Sequence, residues 1–349
     1  MAVYQIDPLR DPRWAQFVQI HPRASVFHTP GWLETLRRTY GYECFGLTTT
    51  PPGNDLTNGM VFCRVTSWLT GSRWVSVPFS DHCDPLIDRT EDLHSILDWV
   101  VQESTRARTR YVEIKPLDSG LRLEGSTRFR RSEEFRIHLL DLGPSVEELY
   151  RSFDKSSIQK RIQKAEKERL VYEEGSSPAL LKKFYHLMVM TRRRHRIPPQ
   201  PVAWYSNLLA ILGDKARIRV VSKDGVPAAS IMTVSHGRST IYMYGCSDER
   251  YNNLAGNVLL FWHAVRDAKE SGAQVLDMGR SDLDNPGLIH FKSDWGAANS
   301  TLTYWRFPEL SRSEKSGRLK GRKIGGYLLS RLPDRCLIAM GKVLYKHAG

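Results

Sequence analysis

Two stretches of this chain, 163 residues apart, carry the same order of elements. "GSRWVSVPFSD" leads to a helix containing "ILDWVVQES" and then to the strand "RYVEIKP"; farther on, "GRSTIYMYGCSDE" leads to "LLFWHAVRDAKESG" and then to "AQVLDMGR". Trp99 and Val112 stand 13 positions apart, and so do Trp262 and Val275. A supersecondary unit that recurs at long spacing predicts a fold built twice, because each copy must bury its own apolar face. We therefore expect two similar α/β halves, 1–140 and 141–310, followed by a separate tail, 311–349.

The length of 349 residues agrees with that division, since a single core rarely grows so large. Apolar patterning predicts strands at 43–48, 59–68, 73–78, 110–115, 134–141, 216–222, 227–235, 238–245, 273–277 and 299–307. Helical periodicity predicts helices at 12–20, 31–39, 91–107, 145–169, 178–194, 201–212 and 255–271. A composition of 41% hydrophobic and 26% charged residues is that of a folded globule and excludes a disordered chain.

A formal charge of +13 calls for an anionic partner: a phosphate-bearing metabolite, nucleic acid or a membrane surface. The charge is concentrated at one end. Residues 312–349 hold ten Lys/Arg against Glu314 and Asp334, which is eight of the thirteen net charges. Within this tail "SRSEKSGRLKGRKIGG" reads as a solvated basic linker. In "YLLSRLPDRCLIAMGKVLYKHAG", Leu328, Leu329, Leu332, Leu337, Ile338, Val343 and Leu344 alternate with cations. That pattern suits an interfacial helix pair on anionic lipid, interrupted at Pro333, and equally a C-terminal helix packed on the body. Five cysteines (44, 63, 83, 246, 336) form no CxxC pair, so neither a zinc ribbon nor a disulfide framework is indicated, and a reduced, cytoplasmic chain is expected. "MAVYQIDPLRDPRW" lacks the apolar run of an export signal. No uncharged apolar stretch approaches the ~18 residues of a membrane span.

The strong catalytic signatures (GxSxG, HExxH, Walker A, GxGxxG) are missing. "SDHCDP" places Asp81, His82, Cys83 and Asp84 together. Adjacent residues on a turn seldom converge on one ion, so a turn lining a substrate cleft, with Asp81 and His82 facing substrate, is expected and no metal is. "RRRHR" at 192–196 ends a helix; two cations satisfy its dipole, and the excess makes Arg194 a candidate phosphate ligand. The helix over 152–170 spreads Lys155, Arg161, Lys164 and Lys167 around an apolar stripe, as a solvated amphipathic helix does.

A strand, "YMYGC", followed by "SDERYNNLAGN" and an apolar helix is the arrangement by which an acetyltransferase of the GNAT type holds the pyrophosphate of coenzyme A. Free backbone N–H groups at the helix N-terminus do the binding. Arg250, Asn253, Ala255, Gly256 and Asn257 are the candidates here, although the first glycine of the GNAT pattern is absent and the spacing is stretched. More broadly, "VFHTPGWLETLRRTYGYE", "SVPFSDHCDPL", "YVEIKPL" and above all "DMGRSDLDNPGLIHFKSDWGA" at 277–297 resemble the FemAB-like branch of the GNAT superfamily. The resemblance covers most of 25–307. It implies an α/β (α+β) fold of two tandem GNAT-like domains with mixed, mostly antiparallel sheets, and an active site in the second.

The chemistry it implies is transfer of an activated acyl or aminoacyl group to an amine of a peptidoglycan or exopolysaccharide precursor, nucleotide- or lipid-linked. The donor would be a co-substrate, aminoacyl-tRNA or acyl-CoA, with no tightly bound cofactor. The long helical arm of the cross-bridge enzymes is missing from this sequence, which weighs against tRNA. By the resemblance, Phe291 and Lys292 fall where those enzymes keep a lysine needed for transfer. Aminolysis needs a cation near the developing oxyanion, and Lys292 is expected to supply it, so that Lys292→Ala abolishes transfer with little loss of stability. Arg280 and Asp277 close a strand's carboxyl end, the first to grip phosphate or carboxylate and the second to orient that arginine or take the proton, orientation being favoured because an ionised Asp is a feeble base. Tyr242 and Tyr244 are candidate cleft residues, and Trp295 a core residue. Two other readings keep the fold: an acyl-CoA-dependent enzyme acting on a small amine, and a non-catalytic binding module. The expected location is the cytoplasm, with the tail on the inner membrane face.

Overall fold

The computed structural model describes residues 1–117, 123, 127–309 and 332–349. These form two compact units, Met1–Phe135 with 301–309 and 342–349, and Arg136–Ser300 with 332–341. The first contains β1 (Tyr4–Ile6), α1 (Pro12–Ile20), α2 (Pro30–Tyr40), β2 (Glu43–Thr48), β3 (Met60–Val65), β4 (Arg73–Val75), α3 (Thr90–Arg106) and β5 (Tyr111–Ile114). The chain continues through β6 (Arg130–Asp141), whose halves fall either side of the boundary. It then enters the second unit: α4 (Val146–Ser152), α5 (Lys160–Lys167), β7 (Val171–Gly175), α6 (Pro178–Arg194), α7 (Val202–Leu212), β8 (Ala216–Lys223), β9 (Val226–His236), β10 (Ser239–Ser247), α8 (Gly256–Glu270), β11 (Val275–Asp282) and α9 (Pro286–Ser293). β12 (Ala298–Phe307) and α10 (Asp334–Ala348) follow.

Strand order is β1-β2-β3-β4-β5-β12 in the first unit and β6-β11-β10-β9-β8-β7 in the second. Each contains a parallel pair joined by a crossover helix, β4–α3–β5 and β10–α8–β11. Val112 sits opposite Trp74 and Val275 opposite Ser239. The other pairs described are antiparallel. The repeated order of elements in the sequence is therefore a repeated sheet plan. Trp99 packs against the first core, which holds Phe45, Ile96 and Val112, and Trp262 lies in the second, with Phe153, Phe261 and Trp295. β12 departs from the expected order. It pairs with β5, Trp305 opposite Ile114, and so completes the first sheet although it follows the second in sequence.

Local signals account for most element ends. Thr29 accepts from the N–H of Trp32 and Pro30 opens α2, while Ser177 and Pro178 do the same for α6. The single helix expected over 145–169 is broken in two. Asp154 Oδ1 accepts from the N–H groups of Ser156 and Ser157 (2.9 and 2.7 Å), capping a π turn over Lys155–Gln159 that leads into α5. The Asp154 N–H itself turns away to Asp294 O, 2.8 Å distant. Asn-Pro-Gly at 285–287 starts a helix: Asn285 caps the N–H of Leu288, and Pro286 takes the first position of α9.

The described part of the tail packs on protein. Asp334 pairs with Arg193 and Gly341 lies against Pro199. Farther along, the Tyr42 hydroxyl donates to Tyr345 O (2.9 Å), and Arg73, which is 3% exposed, donates to His347 O and Gly349 O (2.7 and 2.6 Å). The linker cations Lys320, Arg322 and Lys323, and Leu328 and Leu329, lie outside the described residues. No helix among the described residues is long and apolar enough to cross a membrane.

Candidate active site

The second sheet forks. β10 and β11 pair only from Ser239–Val275 to Ile241–Asp277, and beyond that point both strands continue without each other. A bulge at Met243 shifts the β9–β10 register just past the fork, so Tyr242 faces Thr233 and Tyr244 faces Met232. The backbone of β10 from Tyr242 onward, paired with β9 on one side, is thereby left open on the other. Along this edge run two joined lobes of about 300 Å³ each, within the range of small-molecule sites.

The inner lobe is lined by Tyr242, Gly245, Cys246, Thr191, His195 and Phe291, among others. Gly245 is required here because a Cβ would lie 1.8 Å from the Tyr242 hydroxyl, which rests across it. Burial pushes the Tyr242 phenol well up, so the hydroxyl stays protonated. Burial does the same to Cys246, whose sulfur sits 3.5 Å from Ser230 O; it is no nucleophile. Partial desolvation and the neighbouring Arg194 and Arg192 push the exposed His195 down, which favours its neutral imidazole at physiological pH.

The outer lobe is the N-terminus of α8, with Ala255, Gly256, Asn257, Asn252, Tyr251 and Ser247. Ala255 holds the left-handed conformation (φ 56°) and offers no side-chain cap to the first turn of α8, whose Gly256 and Asn257 line the lobe. Gly256 lets the helix start close to the sheet: a Cβ there would meet Val221 Cγ2 at 2.8 Å. Arg161 from α5 and Arg194 from the last turn of α6 line both lobes. The Arg194 guanidinium is loosely held, 3.4 Å from Ser247 O and 3.9 Å from Glu249. Two cations beside a helix N-terminus are groups that can hold an anion.

Of the residues expected from sequence, Arg194, Tyr242, Phe291, Ala255, Gly256 and Asn257 share these lobes. Others do not. Tyr244 is turned into the core by the bulge; its hydroxyl accepts from Trp204 Nε1 at 2.8 Å and its ring packs on Tyr205. Arg250 is ion-paired with Asp248 at 2.6 Å, and Asn253 is exposed beside it; neither lines a lobe. Asp81 and His82 belong to the first unit. There the Tyr304 hydroxyl donates to Asp81 O (2.6 Å) and the His82 ring stands edge-on to Phe27. Arg161 and His195 are absent from the expected set. Their signal, a cation on a solvated helix and a histidine inside an arginine run, is indistinguishable from surface charge until the chain folds.

Lys292 is buried, 4% exposed, and donates to Gly279 O and Arg280 O at 2.8 and 2.9 Å. Its ammonium thus holds the end of β11 to α9 and does not line the lobes, although its neighbour Phe291 does. Asp277, at the fork, accepts from the N–H of Gly279 at 2.7 Å. Nearby on β6, His138 is fully buried with neither ring nitrogen hydrogen-bonded. Burial, then the charges of Lys292 and Arg136, push it down to about 4. No cluster of metal-ligating side chains occurs among the described residues.

Residues 152–293, which hold both lobes, match the family model of the acetyltransferase (GNAT) domain. No curated protein matches the chain in sequence. Among solved structures, FemX superposes with a TM-score of 0.71 at 16% identity, over 90% of this chain and 99% of that one. The C-terminal domain of a putative lysylphosphatidylglycerol synthetase from Agrobacterium fabrum gives 0.56 at 12% identity, over 88% and 93%. A tandem GNAT protein from the clavulanic acid biosynthesis pathway gives 0.56 at 12%, over 87% and 98%. The chain therefore has the fold of FemX, that of two tandem GNAT-like domains, and residues 152–293 match the acetyltransferase (GNAT) domain model.

Proposed function

We propose that the second unit transfers an acyl group from a phosphate-bearing donor, acyl-CoA, to an amine of a cell-envelope or polysaccharide precursor. One observation carries the reading: Arg161 and Arg194 converge on the open first turn of α8 at the edge of a forked sheet. The donor's pyrophosphate sits in the outer lobe. Its amide-containing arm lies along the open backbone of β10, which brings the thioester to Tyr242 and Phe291 in the inner lobe. The acceptor nitrogen attacks the carbonyl carbon; the C–N bond forms and the C–S bond breaks. His195, neutral, takes the proton from nitrogen, and the sulfur departs as a thiolate to which the Tyr242 hydroxyl donates a hydrogen bond. Lys292 and Asp277 position β11. The likeness to a synthetase named for an aminoacylated envelope lipid favours an envelope acceptor.

Isothermal titration of the full chain with coenzyme A, a UDP-linked muropeptide and charged tRNA tests this. Coenzyme A is expected to bind, and Arg161→Ala and Arg194→Ala each to weaken it about tenfold, the worth of a charge-assisted hydrogen bond. Binding of charged tRNA in place of coenzyme A would replace the donor. Binding of none would leave a binding module.

A further inference from the structure

The first unit presents a surface that the transfer chemistry does not use. Trp68 and Leu69, in the connection between β3 and β4, are 83% and 54% exposed. Three segments meet there. Arg110 donates to Thr70 O (2.9 Å) and its N–H to Ser72 O (2.8 Å); the Thr70 hydroxyl donates to His347 O (3.2 Å). The His347 ring stands edge-on to Trp68, with centroids 5.6 Å apart. Val343, one helical turn earlier on the same face of α10, is 56% exposed.

Residues 66–73, 104–110 and 342–349 contain no Asp or Glu and six Lys/Arg. Arg73 is turned inward and Arg106 pairs with Glu103. Arg108, Arg110, Lys342 and Lys346 stand exposed around the apolar tip. Exposed indole and aliphatic groups ringed by cations match the boundary of an anionic bilayer, where Trp prefers the headgroup level and cations meet lipid phosphate. A nucleic acid would use the cations and stack on Trp68, but it would gain nothing from Leu69 or Val343.

We propose that this surface seats on an anionic membrane, with Trp68 and Leu69 inserted at the headgroup–acyl boundary and Arg108, Arg110, Lys342 and Lys346 on the lipid phosphates. The inference does not rest on acyl transfer; a chain with no transfer activity would bind equally.

The test uses the full chain and phosphatidylcholine vesicles with and without phosphatidylglycerol. Co-sedimentation is expected only with the anionic vesicles. Lipids brominated on the acyl chain should quench tryptophan emission of the unaltered chain, and less so in Trp68→Ser. Trp68→Ser/Leu69→Ser should weaken binding at least tenfold with an unchanged melting temperature. Lys342→Gln/Lys346→Gln should cost about fivefold per cation at low salt. Undiminished co-sedimentation of the tip variant, or no quenching in the unaltered chain, would overturn the proposal. Loss of single-stranded nucleic-acid binding in that variant with vesicle binding intact would reassign the surface to nucleic acid.

Discussion

An ammonium taken out of water must recover its hydration from the protein, and Lys292 does so through the carbonyls of Gly279 and Arg280. That geometry changes what its removal should do. The sequence suggested a lysine dispensable for folding. A buried donor to two carbonyls is not dispensable, because its removal gives up two charge-assisted hydrogen bonds, each of about 1.5–3 kcal/mol. Lys292→Met, which keeps the stem, should therefore lower the urea-unfolding free energy by roughly 2–4 kcal/mol along with activity. A variant of unchanged stability would show that the two bonds contribute nothing. His195 makes a prediction of a different kind. Its folded pKa is depressed, so the neutral base persists below the ordinary histidine range, and activity should fall only as pH drops through that lowered value. His195→Gln should reduce kcat by ~10²-fold or more and abolish this acid limb. An unchanged limb would assign it to another group. Neither role was legible, since both depend on what the folded chain puts around the side chain.

Element types were mostly readable, because a helix or strand that buries one face declares its period locally. α1, α2, α6, β2 and β8 fall within a residue or two of their expected limits. β1 and β7 were not foreseen: one has three residues, and the other, "VYEEG", alternates no apolar face. The break between α4 and α5 was also hidden, since Asp154 and two serines read equally well inside a solvated helix. Its consequence is functional, for the π turn precedes the helix that carries Arg161 to the lobe. The start of α8 is the other sensitive place. Gly256→Ala forces a Cβ against Val221 and should push the helix N-terminus off the sheet, at roughly 1–3 kcal/mol of stability. Coenzyme A affinity should fall with it, by titration, while Gly272→Ala beyond the other end of α8 should leave affinity unchanged.

For the whole molecule, His138 sets an expected acid weakness. Its folded pKa of about 4 lies below the unfolded value near 6.5, so the unfolded chain binds a proton that the folded chain refuses. Its contribution is complete above pH 6.5 and is lost as pH falls from there toward 4, about 2 kcal/mol by pH 5. His138→Phe should flatten the stability profile over that window, read as melting temperature against pH. A profile identical to the unaltered chain would remove His138 as the cause. The sequence by itself determined the doubled plan, the element types and the helix caps, because these rest on neighbours within a turn or an alternation. It also placed Ala255, Gly256 and Asn257, residues of the proposed donor site, at the start of a helix. Only the tertiary structure decided that β12 joins the first sheet, that β10 and β11 part at Asp277, and that Arg161 and Arg194 meet at that helix. Such meetings are set by strand order and long-range packing, and residues that converge across a hundred positions leave no local period to read.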